Sequence, residues 1–329
     1  MTKLDIRHLI GATVLATLAV SLLALAFAWP AANLEPRDVP IGVAGPDDFV
    51  TQVEDRLESA QPGAFEITDY ADADEARAAI RDREIYGAIV IGQPPSVLTA
   101  PAGSAVIAQA LDGVAAAING VTPPVTEKVV ALPVDDPRGT GFAAGALPMV
   151  LGALLTGIVA ALGFRTVGTR LTALVATALG AALGTAAVLG PWLGILPGSY
   201  LAIAAVLLLG LLAGGALVVG LFSLVGRAGI GVAALTLMLV GNPLSGATSA
   251  PEMLPSTWSE LGQWLPPGAL ASLLRSVAYF DGAGGMKPAA ILGLWVLTGL
   301  TCAAIAALRA RNPRDRNATS MPESRLQPA

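Results

Sequence analysis

Six apolar runs, each close to the ~20 residues that a helix needs to cross a bilayer, constrain this chain more than any other feature. They lie at 9–29 and at about 145–164, 171–189, 201–225, 228–245 and 289–308, and none carries Asp, Glu, Lys or Arg away from its ends. Only 13% of the 329 residues are charged, against roughly 25% in a soluble domain. The expected fold is a polytopic α-helical membrane protein with six transmembrane helices in the lipid bilayer. The fifth run is the weakest, because Asn242-Pro243 interrupts its far end.

Charge placement orients the spans. Lys3 and Arg7 precede the first, Arg165 and Arg170 lie between the second and third, Arg227 lies between the fourth and fifth, and Arg309, Arg311, Arg314, Arg316 and Arg325 follow the sixth. Alternating spans put all of these on one side, which the positive-inside rule makes cytosolic. The expectation is a plasma-membrane protein with a cytosolic N-terminus (1–8) and tail (309–329). Ala26-Phe27-Ala28 resembles a signal-peptide cleavage site. The apolar run before it is longer than the ~7–15 residues of a signal h-region, so an uncleaved first helix is expected.

Residues 30–141 differ in composition. They hold 18 of the 24 acidic residues and 7 of the 19 basic ones, an asymmetry that marks a domain. By the orientation above this acidic domain is extracytoplasmic. Val39, Ile41 and Val43 alternate as a strand; Asp47 or Asp48 caps a helix with Phe49, Val53 and Leu57 on one face. Phe65 and Ile67 start a second strand. A helix over Asp74–Arg83, an apolar strand over Tyr86–Ile91, a strand at Ser96–Leu98, a helix over Gly103–Ile118 and a strand over Lys128–Val134 follow. The order βαβαββαβ predicts a small mixed α/β layer.

A second outer element, 246–288, precedes the last span. Thr257 and Glu260 have capping-box spacing. Trp258, Leu261, Trp264 and Leu265 share one helical face, Pro266-Pro267-Gly268 breaks it, and Leu270, Leu273, Leu274 and Val277 resume at helical spacing. Two amphipathic helices with tryptophans at headgroup level suggest a lid on, or dipping into, the outer leaflet; two plain connecting helices fit the pattern equally well.

Little in the chain points to chemistry. A single cysteine (Cys302) and a single histidine (His8) leave no disulfide framework, no cysteine-based zinc site and no outer catalytic triad. Net charge −5 argues against a nucleic-acid partner. No P-loop sequence is present, so ATP energy would have to come from another polypeptide. The acidic group Asp69, Asp72, Asp74 and Glu75 fails the calcium-loop pattern, since Arg77 stands where glycine is needed. No nucleophile–base pair can be assembled. An enzyme, a cofactor and a metal site are therefore not expected. Gly180-x-x-x-Gly184 and Gly210-x-x-x-Gly214 would permit close helix approach.

The layout, with one span, an external α/β domain and five further spans, resembles the type-2 ABC transporter permeases and the related phage-infection-protein-like (Pip/YhgE-like) bacterial membrane proteins. The stretches that carry the resemblance are 73–91, Asn242-Pro-Leu-Ser-Gly-Ala247, and Pro251-Glu-Met-Leu-Pro255 with Leu265-Pro-Pro-Gly268. It implies a homodimeric export subunit for drugs, lipids or polymers, driven by a separate ATPase. One departure stands out: only eight residues precede the first span, and the first cytosolic loop is merely Arg165-Thr-Val-Gly-Thr-Arg170. Asn242, Pro243 and Ser245, with Trp258 and Trp264, are the candidate transport path and lid. Arg165, Arg170 and Arg227 are the candidate cytosolic contacts for a partner. The alternative is a non-transporting envelope protein whose outer domain docks a partner or surface polymer.

Overall fold

A computed structural model describes residues 3–92, 96–119 and 125–311. Arg314, Arg316 and Arg325 lie outside the described residues. Among the described residues five helices are long and apolar enough to cross a membrane: α1 (Lys3–Ala32), α5 (Thr140–Gly163), α6 (Val167–Ala187, extended by a π-helical turn, Val188–Trp192), α7 (Tyr200–Val225) and α11 (Met286–Arg311). The chain is a multi-pass helical membrane protein.

The run expected as a fifth span is shorter. It forms α8 (Arg227–Ala234), 8 residues, and a 7-residue π-helical segment, Leu235–Gly241. At about 1.5 Å per residue this covers roughly 22 Å, against a hydrocarbon core of ~30 Å. The helix ends at Gly241 because Pro243 lacks an amide donor and because another element, described below, occupies the space beyond.

α7 is the axis of the bundle. It is apolar all round, as a fully packed helix must be, and α5, α6, α8, α10 and α11 all pack on it. Gly152 of α5 meets Leu211 of α7 and Gly157 meets Gly215 and Val218, so α5 and α7 run parallel; Gly299 of α11 packs against Ala216 and Gly220. Of the two glycine pairs noted in the sequence, Gly210 and Gly214 are packed, against Leu270 and Ala153, whereas Gly180 and Gly184 face open space. α1 stands apart: its residues 6–25 are all exposed.

The α/β domain follows the predicted element order: β1 (Val39–Ala44), α2 (Asp47–Ala60), β2 (Phe65–Tyr70), α3 (Ala73–Arg81), β3 (Gly87–Val90), β4 (Ser96–Thr99), α4 (Ala105–Asn119) and β5 (Val125–Lys128). The sheet order is β2-β1-β3-β4-β5, antiparallel only between β3 and β4. β5 ends where the sequence pattern had it begin, since it pairs with β4 from Val125 to Lys128 and 129–134 leads toward the bundle. Alternation divides the strands: Val39, Ile41, Val43, Ile89 and Val97 face α2 and α4, while Ala44, Ala88 and Leu98 face α3. The acidic group at 69–75 is a helix cap. Asp72 Oδ1 accepts from the amides of Asp74 and Glu75 at 2.9 Å, and Glu75 accepts from Ala71 at 2.8 Å.

Both domain cores borrow residues from the bundle. Ala250 and Met253 complete the α2/α4 side and Phe280 completes the α3 side. Residues 30–141 are therefore seated on the segment between α8 and α11.

Candidate functional site

The seat is built from a helical hairpin, α9 (Ser256–Trp264) and α10 (Pro266–Tyr279). Its break follows from local sequence. Leu265 precedes a proline and is extended (φ −95°, ψ 150°), and Pro266 takes the first helical position of α10. The expected capping box at Thr257 does not form: α9 starts two residues earlier, with Pro255 at the N-cap, and Thr257 lies inside the helix.

The hairpin is not a surface lid. Trp295 Nε1 of α11 donates to the Trp264 carbonyl at 2.8 Å, and a Cβ on Gly241 would come within 2.8 Å of the Pro267 ring. A Cβ on Gly210 would meet Leu270 at 2.6 Å. Gly210 lies ten residues into α7, about 15 Å from its start. The tip thus reaches well into the bundle, and most of α10 is buried. Apolar periodicity reads the same whether a helix faces lipid or protein, which is why the sequence could not place it. Trp264 itself stays exposed on the outside of the bundle, while Trp258 meets Trp29 of α1 edge-on, ring centroids 6.0 Å apart.

Insertion of the hairpin leaves 242–250 as irregular backbone inside the bundle, tolerable only where its polar groups are satisfied. Ser245 Oγ donates to the Asn242 carbonyl at 2.7 Å and accepts from Ala247 N at 3.3 Å. Gln263 of α9 donates to the Ser245 carbonyl (3.0 Å) and accepts from Ser272 of α10 (2.6 Å). Arg275 Nη2 donates to the Ala247 carbonyl at 3.1 Å.

This segment separates two cavities. One, of about 220 Å³, is lined by Asn242, Pro243, Ser245 and the apolar Phe27, Pro30 and Leu147 of α1 and α5. The other, of about 170 Å³, lies between the bundle and the N-terminus of α4 and includes Arg138 and Arg275. Thr248 and Ser249 line both. The structure brings Asn242, Pro243 and Ser245 together on one wall; Trp258 and Trp264 line neither cavity.

Arg165, Arg170 and Arg227 lie at the opposite end. Arg170 is engaged internally: Nη1 donates to Ser223 at 3.1 Å, Nε to the Phe164 carbonyl at 3.0 Å, and the guanidinium stacks over Phe222. Arg165 and Arg227 are exposed.

The most polar part of the junction was missed by sequence reasoning. Arg83 donates to the Ser272 carbonyl (3.1 Å) and to Ser276, and stacks over Phe280. Tyr86 OH donates to Glu252 at 2.8 Å. Burial pulls the Arg83 pKa down and, with Glu252 beside it, pushes the Tyr86 phenol up. Arg275 stacks over Phe142 at 4.8 Å, and Tyr279 OH donates to the Ile195 carbonyl at 2.8 Å. The available signal was a lone arginine among leucines and alanines at helical spacing in 269–278.

Compared with family models, curated proteins and solved structures, the chain matches none.

Proposed function

We propose that the chain is a permease-like membrane subunit that moves an amphipathic compound, a lipid or an envelope component outward, with energy from a separate ATPase. In this reading it is a homodimeric plasma-membrane protein, its termini are cytosolic and the α/β domain is extracytoplasmic, as the arginine distribution and the resemblance to type-2 ABC permeases imply. The observation that carries it is the irregular segment 242–249, held inside the bundle with an apolar cavity on one side and a cationic one on the other. Broken helices lining a cavity are how transporters form binding sites at depth. The apolar cavity borders α1, whose open face offers a route from lipid.

A second reading, an envelope protein that docks a partner without transport, is favoured by the short connection Phe164-Arg165-Thr166 between α5 and α6 and by the engagement of Arg170 with its own chain. Both leave little surface for an ATPase. Cross-linked affinity purification from native membranes separates the two. A stoichiometric ATPase lost in R165E/R227E supports transport. An envelope protein cross-linked to 30–141, with no ATPase, supports docking.

A further inference from the structure

Arg275 is 5% exposed, and among the described residues no carboxylate lies within 4.0 Å of it. A guanidinium stays protonated under ordinary conditions, and a buried charge without a partner is costly. Its one hydrogen bond among the described residues uses Nη2. Among the described residues no fully buried side-chain nitrogen or oxygen lacks a partner, so the unbonded Nε and Nη1 are not fully enclosed by protein. The space Arg275 lines is the 170 Å³ cavity.

The rest of that cavity has matching chemistry. Arg138 stands at its rim, exposed. Ser104, which caps α4 by accepting from Ile107 N at 3.3 Å, lies in the wall with the helix's first residues, whose amides have no intrahelical acceptor. Thr248, Ser249 and Gln109 add neutral polar groups, and no Asp or Glu lines the cavity. The nearby carboxylates are already occupied: Asp136 accepts from the amides of Gly141 and Phe142 at the start of α5, and Glu252 accepts from Tyr86. A positive guanidinium, a rim arginine and a helix N-terminus converge on a space lined by no carboxylate, at the edge of a domain that is otherwise strongly acidic.

We infer that this cavity, between the N-terminus of α4 and Arg275 of α10, is a binding site for a phosphate-type anionic group, held by Arg275 within and Arg138 at the mouth. The inference goes beyond the transport reading and does not rest on it. The group could belong to free phosphate or to a lipid headgroup, and recognition would be the same charge-assisted hydrogen bonding.

The test uses the full chain and two probes. Inorganic phosphate is titrated onto protein in phosphatidylcholine nanodiscs at constant ionic strength, with binding read from the rise in thermal midpoint. Separately, native mass spectrometry counts phosphatidylglycerol against phosphatidylcholine retained in detergent. Saturable binding of phosphate marks a free anion, selective retention of phosphatidylglycerol alone marks a headgroup, and both together mark a site that reads the phosphate group in either; each supports the site. R275M should weaken binding by about 10–100-fold and R138E by about tenfold. R56E, an exposed change on α2, should leave it unaltered. No binding of either probe, or equal binding by the wild type, R275M and R138E, overturns the proposal. If R275M fails to fold, the exposed R138E decides.

Discussion

The phenol of Tyr86, at the head of β3, donates a 2.8 Å hydrogen bond to Glu252, 166 residues away on the segment that leads into the inserted hairpin. That bond, with Arg83 on Ser272, ties the sheet to the bundle. The domain is thereby positioned over the irregular segment 242–250 rather than tethered only at its two chain ends.

Removing the phenol tests the tie. Y86F leaves the Glu252 carboxylate without its partner and should cost about 1.5–3 kcal/mol, the range for a hydrogen bond to a charged group. Thermal unfolding in detergent should show the loss. Limited proteolysis should show faster cleavage at the domain–bundle junction, and E252Q combined with Y86F should cost less than the sum of the two.

The glycine contacts give a contrast inside the membrane. A Cβ on Gly299 would collide with the backbone of Ala216, which cannot yield as a side chain can. G299V should therefore destabilise by about 1–3 kcal/mol or more. G184A meets nothing within 4 Å and should be neutral or slightly stabilising. Equal melting of the two variants would mean that α7 and α11 are not in contact there.

On the domain surface, Arg77 Nε and Nη2 grip Glu127 at 2.9 and 2.8 Å, holding its carboxyl below the usual carboxylate range, chiefly through the hydrogen bond. A carboxylate with a depressed folded-state pKa adds stability above its unfolded pKa and loses it as pH falls through the folded value. The stability difference between the wild type and R77Q should be present at neutral pH and vanish on acidification below the carboxylate range. Because the pair is solvent-accessible, with side chains 27% and 45% exposed, the difference should be small and shrink with salt.

Orientation can be read with thiols. In a C302S background, a cysteine replacing exposed Arg81 on α3 should react with an impermeant maleimide on intact cells. One replacing exposed Arg227 should react only after permeabilisation. The reverse pattern would invert the proposed topology.

Five apolar runs and the strand–helix order of 39–128 were legible in the sequence because they are local properties. Apolar length sets a crossing helix and period-two alternation sets a strand. What the chain does between Gly241 and Tyr279 was not local. Leu270 has the same hydrophobicity facing lipid as facing Gly210, so only packing could turn the supposed lid into an inserted hairpin and shorten the helix that ends at Gly241. The site followed from that insertion. Arg275 lies 28 residues from the carbonyl it bonds and 133 from Phe142, and Gln263 lies 18 from Ser245. Hydrophobic periodicity says which residues leave water; three-dimensional packing alone decides which polar groups they carry in with them, and against what.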